Sequence, residues 1–88
     1  MEITFDPAKD ASNRHKHGVS LADAARIDPD SLRYWVDERI DYETRYRGQG
    51  LIGDRLYSVA FTIRDGVMRV ISLRKANARE VRDYAQHD

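Results

Sequence analysis

The sequence predicts an α+β fold in which an antiparallel sheet packs against two N-terminal helices and one C-terminal helix. Three observations support this fold class. Helix-capping signals lie near both ends of the chain, apolar side chains alternate with period two through its middle, and Asp65-Gly66 is a turn signal between two of the alternating runs. A chain of 88 residues allows one domain of this kind, which we expect to span residues 1–88.

The first predicted element is a short strand over residues 3–5, and a helix follows it. Asp6 is a favourable N-cap, and Pro7 is a favourable first helical residue because it lacks an N–H group that would otherwise stay unpaired. The helix should run to about Lys16 and end through Gly18, since glycine readily adopts the left-handed conformation found after helices.

A second, shorter helix is predicted between Ser20 and Ile27. Ser20 has an N-cap side chain, and small and apolar residues follow it. Asp28-Pro29 should end this helix, because proline cannot continue the hydrogen-bonding pattern.

The middle of the chain predicts strands. Period-two alternation occurs in four runs, which are residues 32–37, 41–52, 56–63 and 68–73. The last two runs flank Asp65-Gly66 and should form a hairpin. In the second run, Glu43 and Arg45 fall on the same face of the predicted strand.

The closing helix should begin after Asn77. Glu80 stands three residues further on, which completes an Asn-x-x-Glu capping box. Val81, Tyr84 and Ala85 follow at helical spacing, so they form a stripe that can face the sheet.

Composition excludes several functional classes. The chain has no Cys, which removes disulfides, zinc knuckles and thiol nucleophiles. No apolar run approaches the ~18 residues of a membrane span and no secretory leader is apparent, so we expect a cytoplasmic protein. His15 and His17 are two positions apart on a predicted helix and point to different faces, so we expect no metal site.

The net charge of zero conceals an asymmetry. Residues 1–44 contain 6 Lys/Arg and 10 Asp/Glu, whereas residues 45–88 contain 9 and 5, and eight of those nine cations are Arg. Arginine binds phosphate through a planar pair of donors, so the second half could form a polyanion site. A solvated surface with internal ion pairs explains the same charges. A neutral chain is in either case a poor non-specific binder of duplex DNA.

The residue types present are compatible with metal-free RNA cleavage. In that reaction the 2′-hydroxyl of the substrate is the nucleophile, and the protein must move protons and stabilise charge on phosphorus. Glu43 and Arg45 supply one group of each kind. Further cations crowd the last strand and the start of the closing helix, namely Arg69, Arg74, Lys75 and Arg79.

Each candidate also has a purely structural explanation. His17 could interact with the carbonyl end of its helix. Glu80 could serve only as a cap partner, and Arg45 could only pair with Glu43. Tyr84 could pack on the apolar stripe with its hydroxyl at the rim.

Several segments resemble one known family. They are FDPAK at residues 5–9, NRHKHGVS at 13–20, ETRY at 43–46 and RVISLRKA at 69–76, followed by Arg79-Glu80 and Tyr84. In this order they resemble the BrnT-type toxins of bacterial type II toxin–antitoxin pairs. The segments from residue 13 and from residue 69 are the more specific ones.

The resemblance implies a RelE-like α+β ribonuclease toxin that cleaves RNA, inhibits translation and needs no metal or cofactor. It also implies a small ribbon-helix-helix antitoxin, which neutralises the toxin and through which alone the pair contacts operator DNA. Matching motifs identify eight candidate site residues, which are His17, Glu43, Arg45, Arg69, Arg74, Lys75, Arg79 and Tyr84.

The roles of these residues are hypotheses. Glu43 or His17 would accept a proton, while a second set would hold the scissile phosphate, namely Arg45, Arg74 and Lys75. Neighbouring phosphates would contact Arg69 and Arg79, and Tyr84 would stack on a base or donate a proton.

The chain departs from the family pattern at Leu21, at Asn77 and between residues 28 and 41. Two other functions also stay open: a non-catalytic interaction module, and a co-repressor subunit that acts with a DNA-binding partner.

Overall fold

The computed structural model describes residues 1–86, so residues 87 and 88 of the predicted domain lie outside the described part. In chain order the elements are strand β1 (Ile3–Phe5), helix α1 (Pro7–His17), 3-10 helices at Leu21–Arg26 and Pro29–Ser31, strands β2 (Arg33–Val36), β3 (Tyr46–Ile52), β4 (Arg55–Arg64) and β5 (Val67–Lys75), and helix α2 (Ala78–Ala85). The predicted α+β class is confirmed.

The sheet is mixed, so the prediction of an antiparallel sheet was wrong. Its strand order is β1-β5-β4-β3-β2, and β1 runs parallel to β5 with Ile3 opposite Met68. The other neighbouring strands are antiparallel. A strand of three residues carries no signal for its partner, which tertiary packing decides. Here β1 pairs with β5, which lies more than 60 residues later in the chain.

The prediction of two N-terminal helices was also wrong, since only α1 is an α-helix. The segment Leu21–Arg26 forms a 3-10 helix, with the Ser20 side chain accepting a hydrogen bond from the Ala22 N–H. The cap is as expected, but Asp28-Pro29 leaves only six helical residues. A tighter 3-10 turn suits so short a segment.

The predicted bounds of α1 and of the β4–β5 hairpin are confirmed. Asp6 caps α1 through the Ala8 N–H, and Gly18 ends it with φ of 74°. Between β4 and β5, Asp65 and Gly66 have φ of 53° and 77°. Two successive positive φ angles are typical of the tight hairpin turn that the Asp-Gly signal predicts.

The extended run predicted over residues 41–52 begins later than expected. Strand β3 starts at Tyr46, and Glu43 lies in the loop that precedes it. Asp37 holds this loop, because its carboxylate accepts hydrogen bonds from the backbone N–H, Nε and Nη2 of Arg39. The hydrogen bond from the Arg39 backbone N–H to the Asp37 carboxylate closes a local turn. Period-two alternation does not predict such a turn.

One face of the sheet carries the apolar core. Val59 and Phe61 of β4 lie opposite Leu73 and Val70 of β5, and all four are almost fully buried. The segment Leu21–Arg26, with the adjoining Ile27, covers this face. Gly50 permits close contact there, since a Cβ atom at this position would lie 2.6 Å from Ile27 Cγ2.

Asn13 completes the edge of β5 where β1 ends. Its side chain donates a hydrogen bond to the Leu73 carbonyl at 2.8 Å and accepts one from the Leu73 N–H at 3.1 Å. A second donation reaches the Val19 carbonyl at 3.0 Å. The buried amide thus pairs with the backbone of β5 as a neighbouring strand would.

Helix α2 begins with the predicted capping box. The Glu80 N–H donates to the Asn77 side chain, and the Asn77 N–H donates to the Glu80 carboxylate. The stripe that includes Val81 and Ala85 lines a cleft against Leu56 of β4. This helix therefore lies over the end of the sheet and leaves most of the face opposite the core uncovered.

Candidate functional site

The face of the sheet opposite the core is rich in arginine. Directly opposed residues of antiparallel strands point to the same side, so the register places these side chains together. We call this surface the arginine face, and its arginines are Arg33, Arg45, Arg47, Arg69 and Arg74. Arg45 precedes β3 and continues the alternation of that strand.

Three rows of side chains cross the arginine face. They are Arg33-Gln49-Ser58-Arg74, Trp35-Arg47-Ala60-Ser72 and Thr62-Arg69. Strand β4 supplies a small residue to every row, so guanidinium groups stand around a shallow floor. Such a surface can contact several neighbouring phosphates of a polyanion at once.

Arg74 is oriented by Glu80 at the junction of β5 and α2. Its Nη1 lies 2.8 Å from Oε1 and its Nη2 lies 3.0 Å from Oε2. This pair lowers the pKa of Glu80 and raises the pKa of Arg74, because each ionised group stabilises the other. Glu80 also accepts the Asn77 N–H, so one carboxylate fixes both the start of α2 and the Arg74 guanidinium.

Arg45 and Glu43 form a second ion pair beside the arginine face. The Arg45 Nη2 donates to Glu43 Oε1 at 2.9 Å, and Arg64 lies 3.9 Å from the other carboxylate oxygen. The hydrogen bond that Arg45 donates to Glu43 raises the pKa of Arg45. The Arg45 Nε is buried without a hydrogen-bond partner among residues 1–86, which leaves a guanidinium donor unused.

A cavity of about 700 Å³ opens where β2 and β3 meet the first turn of α2. Its walls include Arg33, Trp35, Gln49, Arg79 and Glu80. The predicted site residue Arg79 is therefore part of the same surface as Arg74, because Glu80 both lines the cavity and binds Arg74. Arg69 belongs to the arginine face as well, but at the end away from α2.

His17 and Lys75 lie apart from these groups. His17 lines a separate cavity of about 200 Å³ with Lys9, Lys16 and Ser72 at the outer edge of β5. Lys75 follows Arg74 directly in the strand and so points to the opposite side of the sheet. The geometry does not bring either side chain to the Arg74–Glu80 pair.

Tyr84 is engaged by the fold. Its hydroxyl donates to the Ser31 carbonyl at 2.5 Å, and the Arg33 guanidinium lies 4.7 Å from its ring centroid. Both contacts attach α2 to the segment around β2. Tyr84 thus packs on the apolar stripe with its hydroxyl at the rim, which agrees with the structural role given above as the alternative to RNA binding.

Sequence reasoning missed several residues of this surface. Arg33, Trp35 and Gln49 line the cavity, yet none was a candidate. The alternation over residues 32–37 does place Arg33 and Trp35 on one face, so the signal was present. The alternation over residues 41–52 places Gln49 on the face of Glu43 and Arg45, but a lone amide indicates no role until the register brings it beside Arg33.

Two further observations concern metals and membranes. Within residues 1–86, no three side chains of the His, Asp and Glu types converge in a way that could hold a metal ion. In the same part of the chain, no helix is long and apolar enough to cross a membrane.

Comparison with known proteins gives one family match. The family described as "Ribonuclease toxin, BrnT, of type II toxin-antitoxin system" matches residues 5–80. A search of curated proteins gave no significant match. The matched range includes every arginine of the arginine face, together with Glu43, Arg79 and Glu80.

Proposed function

The chain belongs to the BrnT family of ribonuclease toxins of type II toxin–antitoxin systems, and from this premise we propose that the arginine face binds RNA and supports its cleavage without a metal ion. The observation that carries this proposal is the row arrangement, in which guanidinium groups surround a floor of small residues. Single-stranded RNA presents a phosphate at every nucleotide, and a positively charged groove can follow such a backbone. The whole chain would act as one toxin domain.

The reaction we propose needs little from the protein. The 2′-hydroxyl gives its proton to a basic group of the protein and attacks the adjacent phosphorus, the bond to the 5′-oxygen breaks, and that oxygen takes a proton from water as it leaves. The products are a 2′,3′-cyclic phosphate and a free 5′-hydroxyl. The protein must accept the first proton and stabilise the extra negative charge on phosphorus.

We propose that Arg45 and Arg74 stabilise the negative charge that develops on the scissile phosphate. In the same proposal, Arg69 and Arg79 bind the neighbouring phosphates. Arg74 is held by two hydrogen bonds from its own side chain to Glu80, so its guanidinium is oriented before RNA binds. Pre-oriented donors lower the barrier most, because they need no rearrangement as charge develops. Arg47 lies in the middle row and joins this group in the proposal.

Glu43 is the better candidate for the proton acceptor than His17. Its carboxylate contacts Arg45 at 2.9 Å, which places it beside the arginine face. His17 lines another cavity, beyond the edge of β5. Lys75 points away from Arg74, so this proposal places it outside the cleavage site.

Membership of the family implies an antitoxin partner. We propose that this partner is a ribbon-helix-helix protein that binds the toxin, blocks its activity and supplies the DNA contacts of the complex. The net charge of zero supports this division of roles, since DNA binding without sequence readout depends on excess positive charge. Translation would stop in the cytoplasm when free toxin cleaves RNA.

The test is an incubation of the purified chain with total RNA, with and without EDTA, and then with the antitoxin in excess. We expect fragments ending in cyclic phosphate, equal cleavage in EDTA, and loss of cleavage with the antitoxin. A folded chain that leaves RNA intact both alone and with ribosomes would instead support the non-catalytic interaction module. Cleavage abolished by EDTA would contradict the metal-free mechanism alone.

A further inference from the structure

The cavity between β2, β3 and α2 contains polar groups that the cleavage mechanism does not use. Gln49 is only 6% exposed and lines this cavity, yet its side-chain amide makes no hydrogen bond within residues 1–86. The amide is not among the fully buried unpaired atoms, so it reaches the open space of the cavity, where a ligand can pair with it. The position of Gln49 therefore suggests a partner that arrives with a ligand.

Arg33 adds a second unused donor at the same place. It lies directly opposite Gln49 in the β2–β3 register, and its Nη1 is buried without a partner in the described chain. The contact between the Arg33 guanidinium and the Tyr84 ring holds this side chain in position. The two residues together offer hydrogen-bond donors and one acceptor side by side.

Trp35 supplies an apolar wall. It also lines the cavity, and it is 47% exposed although it is the single Trp of the chain. No ring or cation within residues 1–86 stacks on it, in contrast to Tyr34, Tyr46 and Phe61, which pack on one another. Exposed aromatic rings beside a basic groove are the usual stacking platforms for unpaired bases.

We propose that this cavity binds one unpaired base of the RNA substrate, with adenine preferred. The base stacks on Trp35, and the Gln49 amide donates to N7 and accepts from the N6 amino group, which is the pairing that glutamine makes with adenine. Arg33 and Arg79 hold the phosphates on either side. A cavity of about 700 Å³ is large enough for a nucleotide.

This inference rests on the proposed function, since it assumes an RNA ligand, but it can be tested without cleavage. The probes are four single-stranded tetranucleotides with 2′-O-methyl ribose throughout, which cannot be cut, and they differ only in one central base. Binding is followed by NMR through the indole N–H of Trp35 and the side-chain amide of Gln49. We expect the adenine probe to bind about tenfold more tightly than the others and to shift both signals.

Two variants and a matched control sharpen the result. Gln49→Glu retains the shape and the acceptor for N6 but loses the donor to N7, so it should weaken the adenine preference, whereas Gln49→Ala loses both contacts and should abolish it. Gln86→Ala changes the only other Gln of the chain, which is exposed at the end of α2, and should bind as the unchanged protein does. Equal binding of all four probes, or shifts that spare Trp35, would overturn the inference.

The experiment separates this inference from the proposed function. If the adenine probe is preferred but natural RNA is never cleaved, the base pocket stands and the ribonuclease mechanism fails. If RNA is cleaved without base preference and Gln49→Glu changes nothing, the mechanism stands and the base pocket is wrong.

Discussion

Arg74 and Glu80 form a two-pronged ion pair that joins the end of β5 to the first turn of α2, with N–O distances of 2.8 and 3.0 Å. The same carboxylate accepts the Asn77 N–H of the helix cap. Glu80, which the sequence explains as a capping-box residue, therefore also orients the guanidinium that we assign to the scissile phosphate.

Arg74→Ala should lower the rate of RNA cleavage by about 100-fold or more, because it removes an oriented donor to the charge that develops on phosphorus. Rates are measured on one fluorescent RNA, with thermal melts for each variant. Arg26→Ala is the control, since Arg26 is an exposed arginine on the covering 3-10 helix and, within residues 1–86, its ion pair is with Asp23 alone. A folded Arg74→Ala variant that cleaves at the normal rate would contradict the assignment.

Glu43→Gln should reduce cleavage about 100-fold if Glu43 accepts the proton, because the amide cannot act as a base. His17→Ala should retain most of the activity, since His17 lines a different cavity. The measurement is the cleavage rate of each variant as a function of pH. Loss of the proton-accepting group should remove the acidic limb of this profile. The opposite ranking of the two variants would transfer the proton-accepting role to His17.

Asn13→Ala should destabilise the fold, because it leaves the Leu73 N–H and carbonyl buried and unpaired. Each orphaned backbone group costs about 1–3 kcal/mol of the free energy of unfolding. Urea unfolding measures the loss, and hydrogen exchange should show faster opening at the Leu73 amide. Ser12→Ala, at the exposed position next to it, should leave both unchanged.

Asp37→Asn should weaken the dependence of stability on pH in acid. Contact with Arg39 lowers the pKa of Asp37 from 3.8 to about 2, so its ionised form stabilises the fold above about pH 4 and this contribution is lost as the pH falls towards 2. Urea unfolding between pH 7 and pH 2 should show a smaller decrease in the variant. An unchanged decrease would mean that the contribution of Asp37 is negligible beside that of Glu80 and the other carboxylates.

The sequence predicted those elements whose signals are local. The caps at Asp6 and Asn77, the end of α1 at Gly18 and the turn at Asp65-Gly66 all depend on contacts within a few residues, and the structure confirms each of them. The second helix failed because capping chemistry identifies where a helix starts but not whether six residues form an α-helix or a 3-10 helix.

The residues of the candidate site could likewise be predicted only where their signals are local in sequence. Arg74 and Arg79 could be found because they cluster in sequence near a helix start. Alternation placed Arg33 on one face with Trp35, but its contact with Gln49 could not be predicted, because it depends on the pairing of β2 with β3. Lys75 was grouped with Arg74 by adjacency, although adjacent strand residues point to opposite sides.

The parallel pairing of β1 with β5 also bears on how the toxin is made. Ile3 leaves the ribosome early, but its partner Met68 is synthesised near the end of translation. Contacts between such distant positions form slowly, because the intervening chain must first be brought together. A nascent chain that ends before β5 also has neither Arg74 nor α2, so such a truncated product would lack part of the proposed cleavage site. The order of synthesis thus delays the hazard of a toxic product until the chain is nearly complete.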